Sequence, residues 1–124
     1  MRGNKGFTLI EMLTVIAIIG ILASIATPSF IRSIVRSREA SLENTLFTMR
    51  DVIDQYYSDH GSYPESLQVL QEKKYIRKIP KDPITSSNST WILIQPDEEG
   101  VTGVYDIHSG SKKISLGGSP YNEW

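Results

Sequence analysis

The sequence predicts an α+β chain in which a long N-terminal helix, apolar in its first half and amphipathic in its second, packs against a small antiparallel β-sheet domain. Three observations predict it. From Phe7 to Ile31 the chain reads FTLIEMLTVIAIIGILASIATPSFI, with Glu11 as its only charge. Beyond Pro28, apolar residues recur at steps of three, four or seven, the spacing of one helical face. Past residue 90, three short runs carry β-branched or aromatic residues in partial alternation, as strands do.

Length and composition bound what such a chain can do. With 124 residues there is room for one small domain, and setting the apolar segment aside leaves roughly 90 residues for a water-soluble core. Thirteen basic residues against 14 acidic ones give a formal charge of −1. That is not the footprint of a nucleic-acid binder, which needs a basic patch or stripe. There is no cysteine, which excludes thiolate catalysis, zinc–thiolate sites and disulfide staples together.

The apolar run, at about 1.5 Å per residue, makes roughly 37 Å of helix and can cross a hydrocarbon core of about 30 Å with some tilt. Ahead of it stands the leader MRGNKG, residues 1–6, with Arg2 and Lys5. A short basic leader before an apolar run fits a secretory signal peptide, a plain membrane anchor or a processed leader. A signal-peptide cut would fall after Ala26, with Ser24 at the small-residue position. Glu11 weighs against it, because an acid inside the apolar run costs insertion energy, about 2.5–3.5 kcal/mol for Asp at a helix centre and less near the end, where Glu11 lies. Pro28 suits a continuing, kinked helix as well as it suits a new N-terminus. A plain anchor accounts for the apolar run but leaves the position of Glu11 a coincidence. Ionisable groups in such segments are functional suspects whose partner has to be named. Cleavage between Gly6 and Phe7 would create that partner, a new α-amino cation, with Glu11 four residues along and one turn away on the same face. A carboxylate in the first turn also meets the positive end of the helix dipole. Counting basic residues leaves orientation open, since Arg2 and Lys5 face Arg32, Arg36 and Arg38 across the apolar run. Gly20 and Pro28 are both of types common in transmembrane helices.

Gly6-Phe7-Thr8-Leu9-Ile10-Glu11 resembles the cleavage and methylation motif of type IV pilins and type II secretion pseudopilins. The resemblance implies that a membrane aspartic peptidase cuts after Gly6, that Phe7 is then N-methylated, and that Glu11 pairs with the N-terminal amine of a neighbouring subunit during assembly. Pro28 falls where the family often carries a helix-kinking proline. The same resemblance places the leader on the cytoplasmic side of a bacterial inner membrane and the globular domain on the periplasmic or outer side.

Between residues 32 and 59 the stripe continues from Ile31 through Ile34, Val35, Leu42, Leu46, Met49, Val52, Ile53, Tyr56 and Tyr57. This predicts an amphipathic helix ending near Asp59, where His60-Gly61-Ser62-Tyr63-Pro64 supplies the stop. As one rod, residues 7–59 would span roughly 80 Å, and a rod of that length wants partners along it. The alternative is a membrane helix hinged at Pro28 to an ordinary packed helix.

Residues 60–124 are the predicted globular α+β domain. Leu67, Val69 and Leu70 among polar neighbours predict a short helix within Glu65–Lys73, followed by a loop through Pro80, Asp82 and Pro83. Trp91–Ile94, Val104–His108 and Lys113–Leu116 are expected as three strands, the last two joined by a hairpin at Ser109-Gly110-Ser111. The sheet would cover one face of the amphipathic helix. SYPESLQVLQEKKYIRKIPKDP is similar to the start of the globular domain in major pseudopilins of type II secretion, and the lack of cysteine agrees with that branch. The branch's acidic, glycine-rich calcium loop is not visible in GVYDIHSGSKKISLGGSPYNEW. With Asp106 as the nearest carboxylate and two lysines close by, no metal site is expected.

Other chemistry finds little support. His60 and His108 have no metal-ligand spacing, no nucleophile elbow is present, and Gly117-Gly118 lacks the phosphate-loop pattern. Asn88-Ser89-Thr90 matches a glycosylation acceptor but suits an ordinary loop. Asp97-Glu98-Glu99 suits a solvated turn, or a contact with another subunit. Tyr121 and Trp124 are expected to fold back onto the domain.

The resemblance therefore implies a subunit with no catalytic residue and no cofactor, which is cleaved, methylated and assembled into a helical pseudopilus. Its partners would be copies of itself, the prepilin peptidase and methyltransferase, the inner-membrane assembly platform, minor pseudopilins and, before assembly, the membrane. A surface type IV pilus is the alternative within the class. An uncleaved single-pass anchored binding module is the alternative outside it.

Overall fold

A computed structural model describes residues 6–124, so Arg2, Lys5 and all of the expected leader except Gly6 lie outside the described residues. Residues up to Val35 form one compact unit and Arg36–Trp124 another. Helix α1, Leu9–His60, runs for 52 residues through both. It continues through Pro28, although a proline has no N–H to offer the carbonyl four residues back. It stops at Gly61, whose φ of +71° is the left-handed conformation that glycine adopts without strain, and whose N–H donates to the Tyr57 carbonyl at 2.7 Å.

In the first unit α1 buries nothing. Leu9, Ile10, Ile16, Ile19 and Ile25 are all more than half exposed, and the 18-residue window apolar enough to cross a membrane is 0% buried. Four hydroxyls in this stretch turn inward on the helix. Thr14 donates to the Ile10 carbonyl at 2.8 Å, Ser24 to Ile21 at 2.7 Å, Thr27 to Ala23 at 2.7 Å and Ser33 to Ser29 at 3.1 Å. Each donor therefore has a partner without water, which an apolar surround demands.

The second unit holds the core. The buried stripe of α1 starts only at Leu42 and continues through Leu46, Met49, Ile53 and Tyr56. Ile31 and Ile34, expected on the same stripe, stay exposed. Helix α2, Leu67–Glu72, buries Leu67 and Leu70, and its six residues fall inside the expected range. Strand β1, Ile92–Ile94, pairs antiparallel with β2, Asp106–His108, with Leu93 opposite Ile107. Ile107, Val104, Trp91 and Tyr121 complete the core against α1 and α2.

The third expected strand is absent among the described residues. Lys113–Leu116 contributes only a single bridge, Ile114 to Pro120, and Ile114 is 59% exposed. Its backbone is committed to a local turn instead, with Ser115 N–H bonded to the Ser119 carbonyl at 2.8 Å and Gly118 N–H to the Ser115 carbonyl at 3.0 Å. The expected hairpin also fails, because serine hydroxyls capture the backbone. Ser109 Oγ accepts from Ser111 N–H and Ser111 Oγ from Lys113 N–H, both at 3.2 Å, and such local bonds compete with a sheet ladder. A 3-10 turn over Tyr121–Glu123 ends the chain. Tyr121 is buried, with Trp124 edge-on to it at 5.2 Å, so the tail folds back onto the domain.

Three polar clusters tie distant segments together, two of them through α1 and one between loops. Arg50 of α1 reaches the Asp106 carboxylate at 2.7 Å, the Ile107 carbonyl at 3.1 Å and the Trp124 carbonyl at 2.7 Å. Glu39 accepts from the Tyr121 hydroxyl at 2.7 Å and from Leu116 N–H at 2.8 Å. Asp82, 0% exposed, accepts from Ser109 Oγ at 2.5 Å, Ile84 N–H at 2.8 Å and Gly110 N–H at 3.2 Å. Burial, then the Glu39 bond, pushes the Tyr121 phenol up to about 12. At the end of α1, the hydrogen bond to Asp59 and then desolvation push the Tyr75 phenol up to about 12.

Candidate assembly site at the start of the helix

The segment Gly6–Glu11 carries the chemistry that the sequence singles out. Phe7 is 79% exposed and precedes the helix. Thr8 stands at its N-cap and Glu11 three residues on, the spacing of a capping box. Both reciprocal bonds form. Thr8 N–H donates to Glu11 Oε2 at 3.1 Å, and Glu11 N–H donates to Thr8 Oγ1 at 3.1 Å. Two of the amides that a helix start leaves without partners are thereby satisfied. The carboxylate also sits in the first turn, where the helix dipole favours negative charge.

Glu11 thus has a task within its own helix, and the sequence reading missed it. The signal was legible, since a threonine three residues ahead of a glutamate at the head of an apolar run is the capping-box pattern. Around Gly6 there is open space, with nothing within 4 Å of where a Cβ would stand. Pro28 lies 17 residues beyond Glu11 inside the same helix, and the structure does not bring the two together.

The remaining candidates are dispersed. His60 stacks on Tyr56 with centroids 4.1 Å apart. His108 lies on β2, with Nε2 3.8 Å from Asp106. No group of three or more metal-ligating side chains occurs among the described residues.

Residues 1–27 match the family described as the prokaryotic N-terminal methylation motif. The chain therefore has a prepilin-type N-terminus, carried by a pilin-like α+β arrangement with one helix able to span a membrane. Over most or all of its length the chain is similar to type II secretion system core proteins G. It is 28% identical to the type II secretion system core protein G of Klebsiella pneumoniae over 123 residues, covering 86% of each chain. Against the core protein G of Vibrio cholerae serotype O1 it is 25% identical, covering 100% of this chain and 94% of the other. It is also 40% identical to the type IV major pilin protein PilA of Myxococcus xanthus, but over 62 residues, half of this chain and 28% of that one. No solved structure matches the chain.

Proposed function

We propose that this chain is a pseudopilin of a type II secretion system, cut after Gly6, methylated on Phe7 and assembled into a helical pseudopilus. The observation that carries the reading is the reach of the similarity. Likeness to core protein G extends over most or all of the chain, whereas likeness to PilA covers half. The type IV pilus remains the second reading on the strength of that half.

In this reading residues 7–31 form the filament core, residues 32–59 continue the helix, and residues 60–124 coat the outside. Before assembly the helix resides in the inner membrane with the globular domain on the periplasmic side. The prepilin peptidase and methyltransferase, the assembly platform and minor pseudopilins are the partners, and the role is assembly with no catalysis. Head-to-tail addition of identical subunits gives an open helical polymer, as a heterologous contact that does not close must.

Glu11 sets subunit register by pairing with the Phe7 amine of a neighbour, and Pro28 serves bending of the helix within the filament. The exposed apolar face of α1 fits both environments, lipid before assembly and other helices after it. Mass spectrometry of the membrane-extracted protein tests the whole reading. Loss of residues 1–6 with one added methyl group on Phe7 is expected, and an intact leader would leave the anchored-module alternative standing instead.

A further inference from the structure

Three tyrosine rings meet near the C-terminal end of α1. Tyr57 stacks on Tyr63 with centroids 4.5 Å apart and planes 29° from parallel. Tyr105 meets Tyr63 edge-on at 5.5 Å and 84°, so the rings form two nearly perpendicular walls. With Asp97 and Glu98 they line an open cavity of about 250 Å³. The cavity has no basic side chain in its lining among the described residues.

The walls are held from behind. Val104 N–H donates to the Pro64 carbonyl at 2.7 Å and Tyr105 N–H to the Ile94 carbonyl at 2.8 Å, which fixes both ends of the loop carrying the two acids. Gly103, with φ of +113°, lies so close to Tyr63 that an added Cβ would stand 2.9 Å from the Tyr63 carbonyl oxygen and Cβ. The field in the corner is negative. Desolvation, then Tyr57 and Tyr105, and then the carboxylates of Asp54 and Glu98 raise the Tyr63 phenol above its usual 10.

Aromatic faces set at a corner and backed by carboxylates attract cations. The volume is below the roughly 300–1,000 Å³ of sites for drug-sized ligands, and it suits a single side chain. We propose that this tyrosine corner binds the cationic side chain of a lysine or arginine presented by a partner polypeptide. The carboxylates neutralise the charge, and the rings replace part of its water shell. The site lies in the second unit and stands whether or not the chain forms filaments.

The full chain in detergent micelles, isotopically labelled, is titrated with the amidated, acetylated tripeptides Gly-Lys-Gly and Gly-Arg-Gly, with the uncharged norleucine analogue, and with tetramethylammonium. Saturable shifts of the Tyr63, Val101 and Tyr105 amides with a cationic tripeptide, and not with norleucine, are expected. Tyr105→Leu, at a half-exposed position, keeps an apolar wall without the ring and should weaken binding by about two- to thirty-fold. Asp97→Asn with Glu98→Gln should weaken it further. Equal response to norleucine, response to tetramethylammonium alone, unchanged affinity in Tyr105→Leu, or no saturable shift from either cationic tripeptide would each overturn the proposal.

Discussion

Replacing Asp82 should unfasten the second unit more than any exposed change of equal size. Its two carboxylate oxygens serve three donors, Ile84 N–H on Oδ1, and Ser109 Oγ and Gly110 N–H on Oδ2. Asp82→Asn keeps an oxygen for Ile84, and the Ser109 hydroxyl can reverse to accept from the new amide. The Gly110 N–H cannot reverse and would face another N–H. One hydrogen bond to a charged group is worth about 1.5–3 kcal/mol, and a buried donor left without a partner costs about 1–3 kcal/mol. Part of this is offset because a buried carboxylate no longer has to be desolvated, so the expected loss is about 2–3 kcal/mol. Asp82→Ala strands all three donors and opens a void, for about 4 kcal/mol. In a domain of this size each kcal/mol lowers Tm by roughly 4–8 °C, so the asparagine variant should melt about 10–20 °C early. Trp91 reports on the site, because its indole N–H donates to the Pro80 carbonyl two residues away at 2.8 Å. Denaturant titration of the detergent-solubilised chain, followed by tryptophan fluorescence, measures both variants. A loss below about 1 kcal/mol in both, or an asparagine variant costlier than alanine, would show that the three bonds do not carry the loop junction.

Other substitutions probe separate features. Glu11→Gln preserves a capping-box acceptor for Thr8 N–H but removes the charge, so it should be processed normally and excluded from filaments; normal filaments by electron microscopy would sink the charge-pairing role. Glu11→Ala should also be cleaved and fail to assemble, with a weakened helix start in addition. Gly110→Ala would place a Cβ 1.9 Å from the Thr90 carbonyl oxygen and should cost about 3 kcal/mol or more, read as the same fluorescence transition moving to lower denaturant. For pH, a phenol raised from 10 to about 12 in the folded chain binds its proton more tightly folded than unfolded. The stabilisation from Tyr75 and Tyr121 is therefore complete below pH 10 and lost as pH rises toward about 12. Tyr121→Phe should flatten that alkaline decline while lowering stability at pH 7, and an unchanged alkaline slope would remove Tyr121 from the account.

What the sequence discloses and what it hides follow from the range of the forces involved. The apolar segment, the stop at Gly61, the short helix around Leu67 and Leu70, and strands at Ile92–Ile94 and Asp106–His108 are written in local pattern, because burial and turn chemistry leave a periodic trace. The false third strand has the same trace in Ile114 and Leu116. What overrides it is a run of serines bonding to nearby backbone, a competition that β-propensity does not register. Asp82, Arg50 and Glu39 were invisible for a different reason. Their distant partners lie 27 to 82 positions away, from Ser109 for Asp82 to Tyr121 for Glu39, and nothing near any of them in sequence says which partner will arrive. At the candidate site the reverse holds, since Thr8 and Glu11 are three residues apart and the pattern was readable without any fold.

If the chain assembles as proposed, the capping box would bear on the order of events. A carboxylate has two oxygens, and among the described residues Glu11 commits only Oε2 to its own helix. In the proposed assembly, Oε1 would be left to receive an incoming ammonium while Oε2 keeps the first turn closed. Recruitment by such a side chain requires no unwinding beforehand, so the waiting subunit and the docked one can share the same helix start.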